Sequence, residues 1–324
     1  MLYLKAADVR ACLQPEAAMD SVEEALAIAE EGNFEMPMRL NMDCGGQGNI
    51  LLLMPCKTDA ALATKLISVY PGNRGRGLAA INGLVVLNCP KTGEVLAILD
   101  GQTVTAIRTG AVTGVSVRHL APPGARVLGL VGCGIQAFDQ VRHACAAADF
   151  DRVLLFSRSQ SSADQLQNRL AVELPQVDVS VASSIESLMA NCQVLITASS
   201  ARQPILPNDP KLYEGKHCVA MGSFEPTVRE YPDAIFERTA KVWVDTPHAV
   251  VESGELAIPL AADRLQREQI ETLGALIAGG DEPQRGEFGT TFFKSVGMAL
   301  FDLQAASAIY SVARRKGLGL ELPS

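Results

Sequence analysis

The sequence predicts an α/β chain in two parts. One is a parallel-sheet domain over residues 120–296; the other is an α+β domain assembled from residues 1–119 with 297–324. Three observations carry this. From Arg126 onward, short apolar runs alternate with helical patterns across short connections, as βαβ units of a parallel sheet do. Before that point, strand-like runs are joined by tight glycine and proline turns, as in a mostly antiparallel sheet. From Phe292 a helical pattern runs to Arg314 after the alternation has finished, so it is expected to return to the first domain.

The first 30 residues carry acids throughout and read as an amphipathic helix after Ala6-Ala7-Asp8. They show neither the basic start nor the unbroken apolar run of a secretory leader. Residues 48–55 form a short apolar run closed by Pro55. Residues 63–70 alternate and stop at Pro71-Gly72. Residues 83–88 and 95–100 flank Lys91-Thr92-Gly93 and read as a hairpin. A helix rich in Ala, Val and Thr covers 103–120 and ends at Pro122-Pro123-Gly124. Then come a strand at 127–131, a helix at 135–148, a strand at 152–156 and a helix at 161–174. A strand at 177–181, a short helix at 184–189 and strands at 194–197, 217–221 and 242–244 follow. Their nearly continuous apolar runs suit strands covered on both faces.

With 324 residues, two domains are the natural expectation, and 48% hydrophobic content supplies their cores with some left for an oligomer interface. A net charge of −8 argues against nucleic acid or an anionic membrane as partner. No run approaches the ~18 apolar residues of a bilayer span. The eight cysteines (12, 44, 56, 89, 133, 145, 192 and 218) form no C-x-x-C pair, which reads as reduced thiols in the cytoplasm. The four histidines (119, 143, 217, 248) never fall at ligand spacing, so no metal is expected.

The chemistry-bearing motif is Gly132-Cys133-Gly134-Ile135-Gln136-Ala137, placed between a predicted strand and a predicted helix. In the dinucleotide fingerprint the first glycine makes the tight turn. The second lets the backbone approach a pyrophosphate, and the third small residue lets helix pack on strand. The helix N-terminus then offers free N–H groups to the phosphates. A Rossmann domain binding NAD(H) or NADP(H) follows. The acid expected about 20 residues later, on the ribose diol, is missing: the second strand ends Phe156-Ser157-Arg158-Ser159. A carboxylate there would repel a 2′-phosphate, whereas Arg158 with two hydroxyls would hold one. NADP(H) is therefore favoured, and a solvated loop arginine is the alternative.

Three cations of the first domain stand out. Arg39 follows Met36-Pro37-Met38, Lys65 lies mid-strand in an apolar setting, and Arg108 sits early in the apolar helix. A cation in an apolar strand needs an anionic partner. Spacing alone does not make the three converge; separate salt bridges or snorkelling stems serve equally.

Three segments together resemble the ornithine cyclodeaminase/mu-crystallin family: the glycine turn, the run Leu99-Asp100-Gly101-Gln102-Thr103-Val104-Thr105-Ala106-Ile107-Arg108-Thr109-Gly110-Ala111, and the ending Phe293-Lys294-Ser295-Val296-Gly297-Met298-Ala299-Leu300-Phe301-Asp302. The resemblance covers nearly the whole chain. It implies a Rossmann domain plus a substrate-binding domain that makes a homodimer, with the active site between them. The shared step is hydride exchange between nicotinamide and the α-carbon of an amino or imino acid. By the resemblance, Arg39, Lys65 and Arg108 grip the substrate carboxylate, and Lys65 is the candidate catalytic residue. Cofactor contacts are implied at Arg108, Thr109, Gly132, Gly134, Ile135, Gln136, Ser157, Arg158, Ser159, Ala198, Ser199, Gly222, Ser295 and Gly297.

Two departures bear on the reaction. Cyclodeaminases of the family keep a glutamate two residues before a Met-Pro pair, where this chain has Leu52. Their catalytic aspartate falls at Phe224. Hydride chemistry is untouched by either. The resulting expectation is reduction of a small ketimine such as Δ1-pyrroline-2-carboxylate to the L-amino acid. The alternatives are an amino-acid dehydrogenase or linear imine reductase, an ornithine cyclodeaminase, and a non-catalytic NADPH- and ligand-binding protein.

Overall fold

The computed structural model describes residues 1–223, 225–279 and 289–323. In chain order its strands are β1 (Leu2–Leu4), β2 (Leu40–Asp43), β3 (Ile50–Lys57), β4 (Leu62–Val69), β5 (Ile81–Asn88), β6 (Val95–Asp100), β7 (Val127–Val131), β8 (Arg152–Phe156), β9 (Asp178–Val181), β10 (Val194–Thr197), β11 (His217–Ala220), β12 (Thr239–Val244), β13 (Ile270–Thr272), β14 (Thr290–Lys294) and β15 (Leu320–Glu321). The helices are α1 (Ala6–Cys12), α2 (Pro15–Glu31), α3 (Gly101–Leu120), α4 (Ala137–Ala147), α5 (Gln160–Glu173), α6 (Ile185–Asn191), α7 (Ala249–Glu252), α8 (Gly254–Ala261), α9 (Leu273–Ala278) and α10 (Ala299–Lys316).

The chain divides into two compact units, Met1–Arg108 with Met298–Ser324, and Thr109–Gly297. The sequence reading puts the first boundary at residue 119, one residue before the expected end of α3; the compact units divide inside that helix, after Arg108. The physical reason is that the later turns of α3 belong to the second unit. A Cβ on Gly110 would lie 2.4 Å from the carbonyl oxygen of Asp139, and the Thr113 hydroxyl bonds the side chain of Gln140.

The first unit is a seven-stranded sheet in the order β15-β1-β6-β5-β4-β3-β2, antiparallel except for β1 on β6. Helix α10 packs on β3, β4 and β5 and on α2. The alternation along β4 follows from this: Ala63, Lys65 and Ile67 are buried while Leu66 is exposed. The single N-terminal helix read from the sequence is two, because Pro15 has no N–H for a continuing helix but suits the first turn of a new one. Pro55 does not close its strand either. Lys57 N–H bonds Glu35 on the β2 side, so the N of Pro55 faces that same side, where β2 pairs only as far as Leu53.

The second unit is an eight-stranded sheet in the order β13-β12-β14-β11-β10-β7-β8-β9, every pairing parallel. The chain leaves β7 to one side for β8 and β9, then returns to its other side for β10. This reversal is the switch point at which doubly wound sheets open a crevice. One expectation is corrected here. Phe292 does not begin the last helix: Phe292 and Phe293 lie in β14, an interior strand buried on both faces, and α10 starts at Ala299. The alternation continues two strands further than the sequence reading followed it, through β13 and β14. Tyr231 and Phe236 pack edge-on against Phe292, with ring centroids 5.0 and 5.7 Å away.

Candidate active site

In the first unit, β4 carries Lys65 into the layer between sheet and α10. The Lys65 ammonium meets Asp302 Oδ2 at 2.5 Å, and Arg108 Nε meets Asp302 Oδ1 at 3.1 Å; all three side chains are at most 8% exposed. Asp302 lies in the first turn of α10, where the helix dipole favours its negative charge. Two cations sharing one carboxylate leave a net positive charge in an apolar layer. Met54 and Val85 oppose Lys65 across the strands, and Leu52 lies on the same buried face. Burial pulls the Lys65 ammonium down from 10.5 to about 8; Asp302 opposes that shift, while the charges of Arg108 and Arg39 add to it. Spacing left open whether the three cations converge. Here Arg39, half-buried, and Arg108 both act on Lys65.

A buried, imperfectly neutralised ion cluster is expensive and adds little to stability. Its chemical capability is to bind a small carboxylate, with arginine forks for geometry and a lysine whose proton is exchangeable near neutral pH. Neighbouring Cys56 takes no part: burial first, then Asp302, push its thiol up to about 12.

In the second unit, the glycine turn joins β7 to α4. Gly132 has φ +105°, and a Cβ there would stand 2.6 Å from the carbonyl oxygen of Ala198, so no other residue fits. At Gly134 the same construction meets nothing within 4 Å. A ligand can therefore approach the backbone here at the distance a side chain would have occupied. Ile135 is 69% exposed, and Gln136 Oε1 is buried without a hydrogen-bond partner among the described residues. A close-approach glycine over open space, ahead of a helix N-terminus at the switch point, fits a dinucleotide pyrophosphate.

Most of the remaining expected contact residues follow the C-terminal ends of strands in the same parallel sheet. Ser157 is half-buried at the end of β8, Arg158 is exposed, and the Ser159 hydroxyl caps α5 by accepting from Ser162 N–H at 3.3 Å. Ser161 and Ser162 hydroxyls each lie 3.0 Å from that of Ser159. Ala198 and Ser199 follow β10 and Gly222 follows β11. Ser295 and Gly297 follow β14 and are held on the buried Asp245, which accepts from Ser295 Oγ at 2.6 Å and Gly297 N–H at 2.7 Å. Burial raises the Asp245 carboxyl. Thr109 is half-buried on α3, and Phe224 lies outside the described residues. Among the described residues no cluster of His, Cys, Asp or Glu side chains is arranged for a metal ion, and no helix is long and apolar enough to cross a membrane.

Comparison with known proteins decides among the uses of such a pair of sites. The model of the ornithine cyclodeaminase/mu-crystallin family matches residues 1–317. The chain belongs to that family. Among its relatives is a Δ1-pyrroline-2-carboxylate reductase of Bacillus cereus, 31% identical over 87% of each chain. The ketimine reductase mu-crystallin of Mus musculus is 31% identical over 95% of this chain and 96% of its own. Among solved structures, the Thermococcus litoralis Δ1-pyrroline-2-carboxylate reductase in complex with NADH and L-proline superposes with a TM-score of 0.92 at 28% identity. It covers 99% of this chain and 100% of its own. Iminosuccinate reductase of Paracoccus denitrificans, in complex with NAD+, superposes with a TM-score of 0.89 at 27% identity, over 100% of this chain and 99% of its own. As members of the family they share the fold seen here, a Rossmann-type unit and a second α+β unit.

Two acids that bear on these sites, one in the ion cluster and one behind the sheet's loops, are ones the sequence reading did not assign. Asp302 was visible as an acid inside the apolar run 298–303, a position that in hindsight demands a buried cation. Glu230, whose carboxylate binds the loops after β10 and β11, stands in Arg229-Glu230-Tyr231-Pro232 with nothing in its spacing to distinguish it from a surface acid.

Proposed function

We propose that this family member reduces a small cyclic ketimine of the Δ1-pyrroline-2-carboxylate type to the L-amino acid. It is an oxidoreductase acting on carbon–nitrogen bonds with a nicotinamide dinucleotide. The observation that carries the substrate class is the buried Lys65–Asp302–Arg108 cluster, cationic in sum and set among apolar side chains. Arg108, with Arg39, binds the α-carboxylate, which the guanidinium fork suits. The apolar neighbours Leu52 and Met54 accept ring methylenes and offer nothing to a second amine, which sets this chain apart from cyclodeamination.

A bound dihydronicotinamide supplies the hydride that adds to the imine carbon. Lys65 supplies the matching proton from Nζ to the imine nitrogen; with its value drawn down to about 8, it is a competent acid near neutral pH. Asp302 keeps the ammonium aimed and charged between transfers. Gly132, Gly134 and the N-terminus of α4 hold the pyrophosphate. Thr109, Ile135, Gln136, Ala198, Ser199, Gly222, Ser295 and Gly297 line the rest of the dinucleotide site in this reading.

For the ribose end we favour the 2′-phosphate of NADPH, because Arg158 and the serine cluster at the start of α5 offer one cation and several hydroxyls, and no carboxylate. The two solved relatives above are complexes with NADH and NAD+. The outer face of the first sheet supports a homodimer. Leu40, Leu53, Leu66 and Leu84 form one cross-strand row, with Met42 and Leu51 beside it, and four of these six are exposed. The eight cysteines are free thiols, which suits the cytoplasm.

The test is a substrate panel with NADH and NADPH: Δ1-pyrroline-2-carboxylate, iminosuccinate, pyruvate with ammonia, and ornithine. The cyclic ketimine should be reduced fastest, and Lys65→Ala should abolish its reduction while dinucleotide still binds. Ammonia release from ornithine at a comparable rate would sink the assignment, as would near-normal turnover by a folded Lys65→Ala protein.

A further inference from the structure

Glu230 is fully buried in the second unit and takes no part in the chemistry above. Its Oε1 accepts from Ser199 N–H at 2.8 Å. Its Oε2 accepts from Gly222 N–H at 2.9 Å and from the Thr197 hydroxyl at 2.7 Å. One carboxylate thus fastens the loops leaving β10 and β11. The fit leaves no room for adjustment, since a Cβ on Gly222 would lie 2.3 Å from Ser199 O and 2.6 Å from the Glu230 carboxyl carbon.

The acid is itself held from behind. Buried Glu255 accepts from the N–H of Glu230 and, at 3.3 Å, from that of Tyr231. Glu230 O accepts from Ile205 N–H at 2.9 Å, and the Tyr231 hydroxyl reaches the carbonyls of Leu195 and Val219, one on each of β10 and β11. Lys294 faces the same acids from β14 and donates to Ala220 and Ser223 carbonyls. Burying a carboxylate is costly, and the hydrogen bonds it accepts here offset part of that cost while fixing its position.

The loop it fixes is the one the glycine turn touches. Gly132 can approach only because it lacks a side chain against Ala198 O, and Ser199 is the next residue. We propose that Glu230 is a positioning residue for the dinucleotide: it sets the height of the loops after β10 and β11, and with it the width of the crevice beside the Gly132 turn. The proposal rests on the dinucleotide reading of that turn. Glu230 touches neither cofactor nor substrate and acts through Ser199 and Gly222.

Glu230→Gln is the direct test. The amide has the shape of the carboxylate, but whichever way it is turned, its NH2 faces an N–H donor. The measurement is the Kd of NADH and of NADPH by protein fluorescence in the absence of imine, together with KM for each substrate and Tm. Losing a charge-assisted bond in the brace should raise the dinucleotide Kd about tenfold or more. The KM for the imine and kcat at saturating cofactor should change by less than about threefold, on the additivity of separate sites. A folded Glu230→Gln protein with unchanged Kd and only a lower Tm overturns the proposal, because that is a structural role alone. If this variant does not fold, Thr197→Val decides: it removes one bond of three, and a Kd raised about threefold supports the brace, while an unchanged Kd refutes it. A wild-type protein that binds neither dinucleotide refutes the cofactor reading itself, which is a different failure from an indifferent Glu230.

Discussion

Replacing Asp302 by Asn tests whether the acid sets the protonation of Lys65. Asp302 stands 2.5 Å from the ammonium in a buried layer and opposes the fall caused by burial and by the charges of Arg108 and Arg39, which together leave Lys65 at about 8. The neutral amide removes that support, so the Lys65 value falls further. Losing even ~1.4 kcal/mol, a modest part of the ~3–5 kcal/mol for breaking a buried pair, lowers it by about one pH unit. The protonated fraction at pH 8 then drops from about a half to about a tenth, while at pH 6 it hardly changes. The acid form is the active one, so activity is lost as pH rises through the Lys65 value, and the alkaline limb moves to lower pH in the variant. The assay is kcat/KM for Δ1-pyrroline-2-carboxylate across about pH 6–9. Asp302→Asn should lose about fivefold at pH 8 relative to its loss at pH 6, and Asp302→Glu should restore most of the profile. An equal loss at every pH, or a limb displaced upward, refutes the link between Asp302 and the Lys65 proton.

Gly134→Ala separates fold from cofactor. Its new methyl enters open space, so Tm should stay within about a degree, yet dinucleotide affinity should fall at least about tenfold because the phosphates lose their approach; unchanged affinity by fluorescence titration would place the phosphates elsewhere. Arg158→Ala should weaken NADPH by about tenfold or more and NADH little, the yield of one charge-assisted bond. Equal losses in kcat/KM for both cofactors would mean that Arg158 does not read a 2′-phosphate. Leu66→Asp puts a charge in the middle of the outward leucine row without touching the buried face of β4. Sedimentation equilibrium should show a dimer for wild type and a monomer for the variant, and a wild-type monomer at micromolar concentration contradicts the proposed interface.

The second unit was the more legible one in the sequence. Its central strands are short apolar runs buried on both faces, and from β7 to β10 each is separated from the next by a helix with its own period, so type and order there follow from local pattern. The reading stopped after β12: it missed β13, and it took the β14 residues Phe292 and Phe293 into the following helix, from which no strong break separates them. Only the sheet, which needs a strand between β11 and β12, supplies the missing information. The same distinction governs the site. Gly132 and Gly134 announce themselves because the chemistry needs those residue types at that spacing. Lys65 could be suspected as a cation in an apolar strand, but its partner stands on α10, more than two hundred residues later. Pairings of that kind are properties of tertiary packing: the apolar run around Asp302 calls for a buried cation without saying which, and Glu230 carries no local signature at all.

The place of β14 has a consequence for how the protein is made. As the chain emerges in order during synthesis, β12 and β13 appear well before the strand that joins them to β11. Until residues 290–294 arrive, the second unit can assemble only as two separate pieces, with strand edges exposed on either side of the gap. The first unit waits longer still, for α10 to cover β3, β4 and β5 and to bring Asp302 to Lys65. A nascent chain stalled near residue 289 would therefore hold two unfinished sheets rather than one finished domain and one tail. It would be a substrate for chaperones along its whole length, and a stop codon there should abolish soluble expression of both halves together.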